Sequence, residues 1–264
     1  AAAGGSQWNP KTVLAFSSIS QMGLIPVGAG APLFGPELAP GAVAAVTLYA
    51  LHHGLAKGAL FLGVGVSGAA RTRLERRLLL AGLLLPALAL AGAPFTSGAL
   101  AKLALKASLA ELPPPWPAWL DALLPVAAVG TTLLMARFLL LLLPPRGERV
   151  AEHASVPGAR ASARVALWSS WATLLLAVAT VAWLWPGGSE AAHEARSVAM
   201  LWPLTWPVAT GALLTCLAVL ATRRRAPRRW PSVPAGDLLI VVERVAAVLR
   251  AAWPSAAARA LIRW

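Results

Sequence analysis

Leu48-Tyr49-Ala50-Leu51-His52-His53-Gly54-Leu55-Ala56-Lys57-Gly58-Ala59-Leu60-Phe61-Leu62 lies inside a longer apolar run, residues 43–67, with a lysine near its middle. A transmembrane helix needs about 20 apolar residues, so the run reads as a membrane span. Carrying a charge to the bilayer centre costs about 2.5–3.5 kcal/mol on insertion scales, and such a residue faces a bundle interior or a water-filled path rather than lipid. Tyr49, His53 and Lys57 recur at i, i+4 and i+8 and therefore share one helix face. That face is a stripe of protonatable groups at membrane depth. His52 points about 100° away from His53 on a helix, which fits a packing or interface residue.

The rest of the chain is of the same kind. It has 264 residues, of which 58% are hydrophobic and 12% charged, about half the charge of a soluble domain. Further apolar runs reach spanning length and do not alternate, so the expected fold is all-α, a polytopic transmembrane bundle, and not a closed β-barrel. The net charge of +13 would suggest nucleic acid in a soluble protein. Here the arginines gather in the loops between apolar runs, which is the positive-inside pattern and implies no nucleic-acid partner. The single cysteine, Cys216, excludes an internal disulfide. No His/Cys cluster, glycine-rich dinucleotide fingerprint or P-loop is present, so no metal or cofactor is expected. No cleavable signal peptide is evident at the start. The Ala/Arg/Pro-rich usage suggests a GC-rich bacterial genome, hence a multi-pass protein of the bacterial inner (cytoplasmic) membrane.

The expected spans are residues 12–30, 41–67, 119–143, 165–185 and 200–222, with a segment at 77–111 that fits neither one span nor two. Thirty-five residues of helix would run about 52 Å against a core of about 30 Å. Charge resolves it. If the segment crosses once, the basic loops at 71–77, 146–164 and 223–229 share one side, and Glu37, Glu111, Glu190 and Glu194 share the other. A single crossing of that length requires a broken helix, and Gly92-Ala93-Pro94-Phe95-Thr96-Ser97-Gly98 supplies the break: proline removes a donor and glycine permits the turn. Unwound backbone at membrane depth survives only inside protein or beside a wet cavity. Lys102 follows about one turn later, with Lys106 on the same face. Arg137, near the end of its helix, is expected to snorkel to the interface. Residues 1–230 form the bundle; residues 231–264 read as an amphipathic helix on the basic, cytoplasmic surface, in contact with lipid.

Three stretches together resemble a known family. Asn9-Pro10-Lys11-Thr12-Val13-Leu14-Ala15-Phe16-Ser17-Ser18-Ile19-Ser20-Gln21-Met22-Gly23 is similar to the lysine-then-LAYSSISQMG helix of the antiporter-like subunits of respiratory complex I, relatives of Mrp-type sodium/proton antiporters and membrane-bound hydrogenases. His53-Gly54-Leu55-Ala56-Lys57-Gly58-Ala59-Leu60-Phe61-Leu62-Gly63 resembles that family's HALxKALLFLxxG helix. Leu90-Ala91-Gly92-Ala93-Pro94-Phe95-Thr96-Ser97-Gly98-Ala99-Leu100-Ala101-Lys102 resembles its LAGLPPxAGFxxK broken helix. The order and approximate spacing also match.

The resemblance implies roles. Lys57 matches the central-axis lysine thought to pass protons along the membrane, His53 the histidine beside it, Lys102 the terminal lysine of the output half-channel, and Lys11 the lysine opening the serine-rich helix. Tyr49, Ser17, Ser18, Ser20 and Lys106 are possible accessories. There are departures as well. Family members are roughly twice as long and built of two inverted repeats, and this chain covers only the second. The first repeat's glutamate–lysine pair is absent, Tyr49 stands where many members have histidine, and Asn9 where aspartate is common.

The expected function is a proton-conducting membrane subunit, half of an antiporter-like module, in a redox-driven or cation/proton antiport complex. The moving ion is a proton or sodium. Partners are other membrane subunits, including one that supplies the first repeat. The chain has no catalytic centre of its own and would serve as a subunit of an NADH:quinone oxidoreductase-like enzyme or of an antiporter. The rival reading is a non-conducting scaffold: Gly54-x-x-x-Gly58 favours close helix packing, and Lys57 would pair with a partner's carboxylate. A stand-alone small transporter would ordinarily need both repeats or a homodimer.

Overall fold

Asn9 opens the first helix, accepting the Lys11 backbone N–H at 2.9 Å, with Pro10 at the first helical position, where its missing N–H costs nothing. Our computed structural model describes residues 7–143, 161–185, 193–195 and 197–223, and every regular element among them is helical. Helix α1 (Pro10–Met22) is followed by a short α2 (Leu24–Ala29). Where the sequence suggested one helix over 12–30, the chain is interrupted at Gly23, because Pro26 has no N–H to give the Met22 carbonyl. Two 3-10 turns, Ala31–Leu33 and Pro36–Leu38, lead into α3 (Ala39–Ala69). Helix α4 (Arg73–Ala91) starts on a reciprocal cap between Thr72 and Glu75. Then come α5 (Ser97–Ser108), capped by Thr96, α6 (Trp116–Leu142), α7 (Ala161–Leu184) and α8 (Val198–Arg223). Among the described residues, five segments are long and apolar enough to span a membrane: Pro10–Leu33, Pro36–Ala69, Trp116–Leu142, Ser162–Leu184 and Val198–Ala221. They coincide with the five unbroken spans expected. The tail helix at 231–264 and the arginines at 146, 149, 160, 224, 225, 228 and 229 lie outside the described residues.

Contacts sort the helix ends onto two sides. On one side, Arg137 near the end of α6 donates to the Gln7 carbonyl at 3.2 Å and lies over the Trp8 ring, just before α1. Arg137 therefore ties down the segment ahead of α1. Arg164 at the start of α7 pairs with Glu75 at the start of α4. On the other side, Phe34 meets Trp116 edge to face, and Lys106 of α5 pairs with Asp121 of α6 at 2.9 Å. Helix α7 runs from the first side to the second, since Leu167 and Trp168 near its start pack against the apolar cluster of Leu60, Leu83 and Phe138, whereas Ala182 and Trp185 at its end pack against that of Ala31 and Leu112. Helix α4 thus begins where α7 begins, and α5 ends where α6 begins. The α4–α5 pair makes one crossing, broken in the middle.

Two apolar clusters fill the interior. One joins Val13, Leu14, Leu60, Leu83, Leu90 and Phe138; the other joins Ala42, Leu48, Leu100, Leu105 and Leu112. Helices α3, α6 and α7 pass from one cluster to the other, and polar side chains lie between the clusters. Helix α8 packs along α6, with Gly211 against Thr132.

Candidate functional site

Ser17, Gln21, His52, His53, Lys57, Ser97, Thr131 and Thr132 are all buried, Lys57 to 5% exposure. In α1, Ser17 and Gln21 follow Leu14 of the first cluster. In α3, the histidines stand between Leu48 of the second cluster and Ala59 of the first. In α6, the threonines precede Leu134 of the first. These side chains make one polar layer at mid-depth, and burial obliges each to find a partner.

Gln21 is the centre of the layer. Its Oε1 accepts from the Tyr49 hydroxyl at 3.4 Å and lies 3.2 Å from His53 Nδ1. Its Nε2 donates to Thr131 Oγ1 at 2.8 Å and to the Leu90 carbonyl at 3.2 Å. The Tyr49 and His53 rings lie nearly parallel, with centroids 6.4 Å apart. One turn further along α3, Lys57 Nζ donates to the Leu14 carbonyl of α1 at 2.9 Å. The same carbonyl also accepts the Ser18 hydroxyl at 3.1 Å, so the lysine and the serine share one oxygen of α1.

The broken helix supplies the other half. Gly92, at φ +83°, ends α4 in the left-handed conformation, and the N–H groups of Gly92 and Ala93 turn back to Leu88 and Ala89. The next helical donor for Leu90 would be residue 94, which is proline. Its carbonyl is left without a helical partner, and it receives Gln21 from α1 and Lys102 Nζ from α5, the latter at 3.2 Å. Lys102 Nζ also donates to Ala91 at 2.7 Å. A Cβ on Gly92 would stand 2.9 Å from Lys102 Nζ, and one on Gly98 would stand 1.7 Å from the Ala89 carbonyl oxygen. Both glycines are needed for the two half-helices and the lysine to come this close. At the far lip of the break, His52 Nδ1 lies 2.9 Å from Ser97 Oγ, the first residue of α5.

Of the residues singled out in the sequence, His53, Lys57, Lys102 and Tyr49 meet in or beside this layer. Ser17 is fully buried on the α1 face between Leu14 and Gln21, with no hydrogen-bond partner for its hydroxyl among the described residues. Ser18 bonds back to Leu14 at 3.1 Å. Lys11 and Ser20 are exposed. Lys106 is exposed in its ion pair with Asp121. His52 is more than packing, since it is bonded to the break. Gln21, Thr131 and Ser97 were not singled out. Gln21 was visible as an uncharged polar residue four after Ser17 on one helix face; nothing local marks Thr131.

Residues 1–120 match the family model of the transmembrane part of the NADH:quinone oxidoreductase/Mrp antiporter family. The matched part, a little under half of the chain, is similar to that family. The matched segment holds α1 to α5 and the first turn of α6, and so contains Lys57, Lys102, Gln21 and the whole break. A search of curated proteins gave no match. That family is one of antiporter-like membrane subunits of multi-subunit complexes, and the five helices long and apolar enough to cross a membrane support a multi-pass membrane protein.

Proposed function

We propose that this subunit conducts protons through its buried polar layer, as half of an antiporter-like module in a redox-driven or cation/proton antiport complex of the bacterial cytoplasmic membrane. The observation that carries this reading is the set of exchangeable groups between two apolar clusters, His53 and Lys57 buried and Lys102 half-buried, with His53 and Lys102 tied into one structure through Gln21 and the Leu90 carbonyl and Lys57 one turn from His53. Lysine and histidine hold exchangeable protons, and the layer contains no carboxylate among the described residues to trap a charge beside them. Like charges along the layer repel, so a proton arriving at one group favours release from the next. Ser17 lies between the Leu14 carbonyl that holds Lys57 and the amide of Gln21, where its hydroxyl, with water, closes the remaining step. Lys102 delivers towards the side carrying Lys106, Asp121 and Glu111, opposite the side carrying Arg73, Arg76 and Arg164. Other membrane subunits complete the path, one of them standing in for the family's first repeat.

The test is proton uptake into vesicles by the complex purified through this chain. Lys57→Met is expected to abolish pumping, and Lys102→Met to lower it at least tenfold, with assembly intact. Pumping at the normal rate by an assembled Lys57→Met complex would overturn the reading. A scaffold role is favoured by one observation: both lysines stitch helices together, α3 to α1 through Leu14 and α5 to α4 through Leu90 and Ala91. On that reading the same variants lose assembly, while each complex that does assemble pumps normally.

A further inference from the structure

Leu90's carbonyl can only accept, and that fixes more than its own bonds. Because Pro94 withholds the helical N–H, the Leu90 oxygen takes the Nε2 amide of Gln21. A second acceptor faces the same nitrogen, because Thr131 gives its own hydroxyl proton to Ala127 at 2.8 Å and offers Gln21 a lone pair. The amide cannot turn over without setting its oxygen against both. Its Oε1 is therefore directed at Tyr49 and His53, and an amide oxygen has no proton to give. The 3.2 Å contact with His53 Nδ1 is a hydrogen bond only if Nδ1 carries the proton.

We infer that Gln21 is a positioning residue that holds neutral His53 in the Nδ1–H tautomer, leaving Nε2 as the atom that takes up and releases a proton. The helix break thus sets the tautomer of a histidine on another helix, through one amide. Lys102 shares the Leu90 carbonyl. Loss of its charge alters the acceptor that orients Gln21, which couples the two ends of the layer. The functional weight of this arrangement rests on the proton-conducting reading above; the tautomer itself does not.

The experiment is nitrogen-15 magnetic resonance of the full chain in lipid bilayers with labelled histidine, the His53 signals being assigned by their loss in His53→Gln. At a pH where the ring is neutral, the expected result is a protonated Nδ1 and a bare Nε2. Gln21→Leu should shift His53 towards Nε2–H. Gln21→Glu, which keeps an acceptor against His53 but as a carboxylate offers nothing to Leu90, should retain Nδ1–H. A wild-type His53 found as Nε2–H, or a tautomer unmoved by Gln21→Leu, overturns the inference. If Gln21→Leu fails to fold, the wild-type spectrum alone decides. Pumping lost on Lys57→Met together with an Nε2–H His53 would sink the inference and leave the proton path standing; the opposite pair of results would do the reverse.

Discussion

Among the described residues a helix is broken at proline twice, at Pro26 and Pro94, and one of these breaks becomes a site. At Gly23–Pro26, the carbonyl that loses its helical donor belongs to Met22, whose side chain is 44% exposed, and no cation among the described residues is bonded to it. At Gly92–Pro94, the carbonyl belongs to Leu90, fully buried, and it takes one donor from α1 and another from α5. The chemistry of proline is the same in both. What differs is burial: a carbonyl at mid-depth without a partner must be satisfied by whatever side chains the fold brings. A break acquires a function from its depth and from the donors opposite it.

That contrast can be broken most severely at Gly98. Alanine there would place a methyl 1.7 Å from the Ala89 oxygen, well inside contact distance and against backbone that cannot swing away. Gly98→Ala is expected to push α5 off α4, separate Lys102 from its carbonyls and lower the thermal midpoint in mild detergent by a large margin. An unchanged midpoint with normal proton flux would show that the close approach is dispensable. A sharper comparison sets Pro94→Ala beside Pro26→Ala. The first returns an N–H to the position that would satisfy Leu90 and should cut proton flux several-fold. The second should leave flux unchanged and alter stability by no more than about 1 kcal/mol, the range for proline replacements at compatible positions. Equal effects on flux would erase the distinction between the breaks.

The smallest effect is expected at the surface end of the broken helix. Glu75 accepts the backbone N–H of Arg71 at 2.6 Å and that of Thr72 at 3.2 Å, and pairs with Arg164. The Arg71 N–H, seconded by the other two, holds its carboxyl below the usual glutamate range. A carboxyl depressed in the folded state adds stability above its unfolded value, about 4.3, and loses it as the pH falls through the lower folded value. The wild-type midpoint should therefore fall in that acid window more steeply than that of Glu75→Gln, and the difference should shrink in high salt. Parallel acid profiles would remove Glu75 from the account.

What could be read in the sequence follows from range. Span lengths, the break at 92–98 and the shared face of Tyr49, His53 and Lys57 depend on neighbours within a few residues, and the structure has them. The interruption at Gly23 was missed because the apolar run passes smoothly over Pro26. Lys11, read as part of the relay from its place beside the serine-rich helix, is exposed at the first turn. His52 seemed to point away from its neighbour's chemistry, and it does point away from His53, but towards Ser97, forty-five positions later. Gln21 and Thr131 are 110 positions apart, and no local pattern relates them. The polar layer is a tertiary object: α3 supplies its conspicuous lysine and histidines, and α1 and α6 add Gln21 and Thr131, which look unremarkable alone.

Leu90's part in this layer is played by its main chain, and that has a consequence for genetics. Any residue at position 90 brings the same oxygen, so a screen of substitutions will pass over the atom on which α1, α4 and α5 converge. It will report instead at Gly92, Pro94 and Gly98, whose side chains, or lack of them, decide whether that oxygen is available. A map of sensitive positions would outline the site as a ring of glycine and proline around an apparently tolerant leucine.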